Sequence, residues 1–213
     1  MEAHTDPRFW NEATGKRFTH PLDISRLAGH LTRDARILDY GCGQGRLCGE
    51  LISHGFAHVT GVDSSPEMIR TARERNPAAS FLVNDGEALP FATAHLDAIL
   101  LFAVLTCIPT DDAQRRLVAE FKRTLRPGGL LLVSDYPLQE DERNRARYAA
   151  FAQEPGGYGT FRLPEGAVLR HHRREWLEAL FADFVMEHEQ ELDVLTMNGN
   201  PARIVQLWMR KPA

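Results

Sequence analysis

In the segment Asp39-Tyr-Gly-Cys-Gly-Gln-Gly45, an acid and three alternate glycines follow directly on the apolar run Ala35-Arg-Ile-Leu38. Such a segment reads as a strand that ends in a turn where a ligand meets bare backbone. Glycines at 41, 43 and 45 carry no Cβ and reach positive φ, so a nucleoside or phosphate can lie against main-chain amides and the start of a helix. The residues that follow, Arg46 to Ser53, have the apolar spacing of a helix laid on a sheet, with Gly55 as its stop. Dinucleotide-binding and nucleoside-binding folds both use this strand, turn and helix. The next strand, His58 to Val62, ends at Asp63, about twenty residues past the glycines, where a carboxylate accepts both hydroxyls of a ribose.

The rest of the chain extends this alternation. Ser64 opens a helix as its N-cap, with proline at 66 and Glu67 three residues beyond the cap. A third strand is expected at Ser80 to Val83 and a fourth at Asp97 to Phe102, apolar throughout as a central parallel strand is. Thr110 caps a helix to about Leu125, and Arg126-Pro-Gly-Gly129 turns the chain into a fifth strand, Leu130 to Ser134. A helix from Arg173 to Phe181 then leads into an alternating strand, Phe184 to Asp193. Asn198-Gly199 signals a hairpin to a last strand, Ala202 to Met209. The expected fold is α/β: a seven-stranded, mostly parallel sheet with helices on both faces, closed by an antiparallel hairpin.

A chain of 213 residues is the size of one domain with a full core. The expected division is N-terminal cap helices over 1–34, a ligand-binding core over 35–134, a lid-like insert over 135–172, and a helix with the terminal hairpin over 173–213. A net charge of −4 without a long basic run argues against a nucleic-acid backbone as the main partner. No apolar run is long enough to span a bilayer, and the first residues lack the pattern of a signal peptide, so a cytoplasmic location without membrane partners is expected. Three cysteines, Cys42, Cys48 and Cys107, without CxxC spacing fit a reducing compartment, and no metal site is indicated.

Four segments in order resemble the class I S-adenosylmethionine-dependent methyltransferase family, over about Arg36 to Arg210. Ile37 to Gly45 resembles its first motif, Gly61 to Met68 its second, Asn84 to Phe91 its third, and Leu125 to Leu130 the segment before the fifth strand. The resemblance implies S-adenosylmethionine as cofactor, with S-adenosylhomocysteine as product. Asp39 and the backbone of Gly41 and Gly43 would hold the methionine ammonium end, and Asp63 the ribose. Met68 would lie on the adenine face, while Asp85 and the Gly86 amide would meet its edge. Phe102 and Ala103 would complete the methionine side, and Cys42, Ser64 and Glu87 would be further cofactor neighbours. The Asn/Asp-Pro-Pro-Tyr motif of enzymes that methylate amino groups in nucleic acids and proteins is absent after the fourth strand. Leu105 to Asp111 resembles the branch acting on small molecules. The expectation is therefore methyl transfer to an O, N or S atom of a small metabolite. A nucleic-acid or protein methyltransferase, or an NAD-dependent oxidoreductase, is the alternative.

Methyl transfer needs alignment of the acceptor and, for a hydroxyl or amine, loss of a proton. Three segments are expected to cap the cofactor: Phe9 to Pro21 with His20 as a candidate base; the insert from Asp135 through Tyr148 and Tyr158 to Arg170-His-His-Arg-Arg174, with His171 as the other; and the hairpin tip Thr196 to Asn200. Positive charge where a helix begins opposes the helix dipole, which makes Arg170 to Arg174 a candidate contact for an anionic acceptor.

Overall fold

The computed structural model describes residues 7–12, 19–84, 88–153 and 156–213. Seven strands form one sheet, in the order β3 (Ser80–Val83), β2 (His58–Asp63), β1 (Arg36–Tyr40), β4 (Leu96–Phe102), β5 (Leu125–Asp135), β9 (Pro201–Arg210) and β8 (Val185–Leu195). β1, β2, β3, β4 and β5 run parallel, whereas β9 is antiparallel to both β5 and β8. The sequence places the hairpin at the end of the sheet. The order shows the chain passing to the outer edge as β8 and returning as β9 into the gap beside β5.

Side-chain alternation along the strands explains why both faces are covered. Ile37, Leu100, Leu130 and Leu132 pack against α2 (Ile24–His30), α3 (Arg46–Ser53) and α4 (Pro66–Arg75) through Leu27, Leu51 and Ile69. Their neighbours Leu38, Ile99, Leu131 and Val133 pack on the other face against α5 (Asp111–Thr124) and α7 (Arg174–Leu180) through Phe121 and Leu177. A strand buried on both faces has no polar register to keep, which is why β4 and β5 read as continuous apolar runs.

Two local expectations are corrected. Ser65, not Ser64, caps α4: its hydroxyl accepts from the Met68 amide at 3.1 Å, with Pro66 in the first turn. Two serines adjoin, and it is the second whose hydroxyl reaches the Met68 amide. β5 also begins at Leu125, before Pro127-Gly128-Gly129, with Leu125 paired to Leu96 and the register shifting before Ala98 pairs Leu130. The Pro-Gly-Gly segment is thus an irregularity inside a strand, with Gly128 at φ +71, rather than a turn ahead of one.

The insert after β5 holds α6 (Glu142–Ala150) and a two-stranded ribbon of β6 (Thr160–Arg162) and β7 (Val168–Arg170). It is tied back to the end of β5 by Leu138 N donating to His172 O at 2.8 Å and His172 N to Tyr136 O at 2.9 Å. Before the sheet, α1 (Pro7–Glu12) lies against α4, and Ser65 Oγ donates to Asn11 Oδ1 at 2.6 Å.

Candidate active site

The ends of β1 and β2 build the site. Gly41, Gly43 and Gly45 have φ of +71, +51 and +77, a path closed to ordinary side chains. The amides of Gly41 and Cys42 both donate to Val62 O, at 2.8 and 2.9 Å, which folds the turn over the end of β2. A Cβ on Gly41 would lie 2.4 Å from Val104 Cγ2, whereas one on Gly43 would meet nothing within 4 Å. The turn is therefore packed on one side and open on the other.

Asp63 ties this turn to the next helix. One carboxylate oxygen accepts the Gly43 amide at 2.9 Å and the other the Ser65 amide at 2.9 Å. Burial raises its pKa, and the amides of Ser65, Gly43 and Ser64 work against that shift. Asp39 is buried more deeply, 2 % exposed, and burial drives its pKa up to about 7 even though Cys48 and Arg46 favour its charge. Two carboxylates at adjacent strand ends without an ion-pair partner among the described residues form a site that gains by admitting a cation and hydroxyl donors. That donor set, with open space over Gly43, fits the ammonium and ribose of S-adenosylmethionine.

Met68 is fully buried in the first turn of α4, Cys42 lies in the turn at 8 % exposure, and Ser64 sits between Asp63 and the Ser65 cap. Phe102 ends β4, and Ala103 follows at φ +57 with its amide on Ser134 O at 2.7 Å. Asp85, Gly86 and Glu87 lie outside the described residues, so the expected adenine-edge contact is not part of this geometry.

The two candidate bases meet on one ring. His20 packs edge-on against Tyr136 with centroids 4.8 Å apart, and His171 stacks on Tyr136 at 5.0 Å. His20 Nδ1 faces Ser134 Oγ at 3.0 Å and Ser134 O at 3.2 Å, while its Nε2 is buried without a partner among the described residues. A carbonyl oxygen only accepts, so this network assigns the proton to Nδ1. His171 Nδ1 meets Tyr148 Oη at 2.6 Å, and that hydroxyl also accepts from Gln139 N, which assigns the hydroxyl proton to the histidine. Burial lowers the pKa of His20 to about 4 and that of His171 well below its usual value, in the latter case aided by the charge of Arg147. Both imidazoles are neutral at pH 7 and neither is poised as a strong base.

The hairpin tip closes on itself, Thr196 N to Asn200 O at 2.8 Å, and Leu195 O accepts from Thr19, next to His20. Residues 13–18 of the first expected cap lie outside the described residues. The Arg170 to Arg174 stretch is accounted for differently from expectation. Arg170 belongs to β7 and pairs with Asp111, and Arg174 pairs with Glu178 and Glu189. The charges of Arg170 and Arg174 are thus matched within the chain, while Arg173 lies over the Tyr158 ring at 5.3 Å. Arg147 on α6 places its guanidinium 3.4 Å from the centre of the Phe161 ring, in a ring cluster with His171.

Sequence reading missed Arg46, Tyr136 and Asp135. Arg46 donates to His20 O at 2.6 Å and lies near enough to Asp39 to favour its charge. Its position directly after the glycine turn was the available signal. Tyr136 and Asp135 carry none, because their importance comes from where β5 ends.

A family model described as a methyltransferase domain matches residues 37–129. A trans-aconitate 2-methyltransferase of Variovorax paradoxus is 31% identical over 152 residues, covering 68% of this chain and 57% of the relative. A malonyl-[acyl-carrier protein] O-methyltransferase of Enterobacter lignolyticus is 34% identical over 124 residues, covering 58% and 47%. The chain thus spans 57% and 47% of the length of these curated relatives. A ubiquinone biosynthesis O-methyltransferase of Xanthomonas oryzae pv. oryzae is 32% identical over 209 residues, 92% of this chain and 81% of the relative. Among solved structures, an S-adenosylmethionine-dependent methyltransferase of Methanosarcina mazei superposes with a TM-score of 0.82 at 25% identity, covering 90% of this chain and 98% of that one.

Proposed function

The chain belongs to the class I S-adenosylmethionine-dependent methyltransferase family, and from that premise we propose that it methylates an oxygen atom of a small, anionic metabolite. The observation that carries the cofactor half is the bracket of Asp39 and Asp63 around a glycine turn that is open at Gly43. S-adenosylmethionine, when bound, supplies an electrophilic methyl group on a sulfonium. Asp39 would hold the ammonium end and Asp63 the ribose hydroxyls. The amides of the turn and the strand end at Phe102 and Ala103 would fix the methionine chain.

The acceptor half is supported by the chemistry around Tyr136. Burial makes His20 and His171 weak bases, so they orient and desolvate an acceptor better than they deprotonate an alcohol or an ammonium group. An oxygen that has already lost its proton, as in a carboxylate or an acidic phenol, needs no base, and Arg147 beside this cluster offers charge complementarity. Several relatives are named as O-methyltransferases. A cytoplasmic location belongs to the same proposal, supported by three free cysteines. No helix among the described residues is long and apolar enough to cross a membrane. The division into cap, core, insert and terminal hairpin is likewise proposed, with the insert and residues before 35 shaping the acceptor side.

Methyl-labelled S-adenosylmethionine with a panel of carboxylic acids, phenols and amines tests this reading. Label on an acid or phenol oxygen is expected, with alkali releasing methanol from an ester and leaving an ether intact. Label found only on amines, or retention of NAD in place of S-adenosylmethionine, sinks it.

A further inference from the structure

Asp135, the last residue of β5, is fully buried, and no arginine or lysine pairs with it among the described residues. Its carboxylate instead gathers backbone amides. Oδ1 accepts Tyr136 N at 2.8 Å, Oδ2 accepts Thr106 N at 3.3 Å, and the amides of Leu105 and Val104 also favour its charge. The last three amides open the short 3-10 turn Leu105–Cys107 that follows β4, where a turn's first amides have no partner within it. The side chains facing the carboxylate are His172, whose Nε2 lies 3.9 Å away, Cys107 and Tyr136. Burial keeps the imidazole neutral and the thiol and phenol protonated, so the amides alone answer the charge.

What these amides hold is the wall of the cofactor site. Ala103 stands at φ +57, a region that residues with a side chain seldom enter, and it is pinned by its amide on Ser134 O and by Cys107 Sγ donating to its carbonyl at 3.5 Å. The next residue, Val104, fills the space against Gly41 where a Cβ would lie 2.4 Å from its methyl group. A carboxylate has no donor and several lone pairs, so it suits three converging N–H groups. An asparagine of the same shape turns an NH2 group toward them.

We propose that Asp135 is a positioning residue: through the turn 103–107 it sets Val104 and the Ala103 backbone against the glycine turn, and so fixes the fit of the methionine half of the cofactor. The inference rests on the cofactor reading above. It separates the two halves of the ligand, because the ribose acid Asp63 is held by Gly43 and Ser65 and owes nothing to Asp135.

The test is calorimetric titration of the wild type, Asp135→Asn and Asp135→Glu with S-adenosylmethionine and, separately, with adenosine, alongside thermal melts. In both variants S-adenosylmethionine affinity is expected to fall about tenfold or more while adenosine affinity holds. Asp135→Glu keeps the charge and displaces it, so its failure to rescue identifies geometry as the cause. Equal losses for both ligands, unchanged S-adenosylmethionine affinity, or failure of both variants to fold overturns the proposal. A wild type that binds neither ligand overturns the cofactor reading itself.

Discussion

Cys48 donates its thiol to Asp39, Sγ to Oδ2 at 3.3 Å, and its backbone amide also favours the charge of this carboxylate, which is 2 % exposed. A thiol is a weak donor, so the acid remains poorly compensated and titrates near neutrality, at about 7. In the proposed function the cofactor's ammonium is the partner of this acid, so folding and binding would place opposite demands on one side chain.

Asp39→Asn is accordingly expected to raise the melting temperature of the ligand-free protein at pH 8 while weakening S-adenosylmethionine binding by about a hundredfold, the scale of a lost buried charge-assisted contact. Scanning calorimetry and titration calorimetry read the two effects. A variant that melts lower and binds equally well would show that Asp39 is structural.

Stability against pH follows from opposed shifts. The pKa values of Asp39 and Asp135 are raised to about 7, so each stabilises the fold below its unfolded value near 4 and loses that contribution as pH rises through 7. His20 and His172, lowered to about 4 and about 3, stabilise above their unfolded value near 6.5 and lose it as pH falls through the folded one. From about pH 6.5 to 8 the histidines no longer contribute a slope and the raised acids alone act, so stability declines. Denaturant melts from about pH 6.5 to 8 should show this fall, and saturating S-adenosylmethionine should flatten it by favouring ionised Asp39.

The glycine turn makes a paired prediction. Gly41→Ala drives a methyl group into Val104 and should lower stability by about 2 kcal/mol or more. Gly43→Ala meets open space, so it should cost about 1 kcal/mol for its backbone conformation yet abolish cofactor binding by filling the cradle. Chemical denaturation with parallel binding titrations distinguishes them.

Asp63→Ala frees the Gly43 and Ser65 amides and removes the proposed ribose acceptor. S-adenosylmethionine and adenosine should both weaken about a hundredfold or more. Unchanged adenosine affinity would remove Asp63 from the ribose site.

Tyr148→Phe leaves His171 Nδ1 without its partner in a buried ring cluster, at a cost of about 1 to 2 kcal/mol. Proton resonances of the imidazole should report the change in tautomer.

The strands, the glycine turn and the acids at 39 and 63 were legible because each is a local event: an apolar run, a positive φ, a carboxylate where a strand stops. Small errors arose where two local signals coincided. The expected cap Ser64 is displaced by Ser65, because it is the Ser65 hydroxyl that reaches the Met68 amide. Pro127-Gly128-Gly129 has the composition of a turn, yet pairing of Leu125 with Leu96 extends the strand across it.

What sequence by itself determined is thus the order of elements and the cofactor turn, since backbone conformation and periodic burial are written in neighbouring residues. Only the tertiary structure decided which polar groups are neutral and what they face. His20, Tyr136 and His171 are far apart in the chain and meet on one ring, and Asp135 finds its amide partners some thirty residues away across β4 and β5. Protonation follows from burial and from these distant partners, which local sequence does not encode.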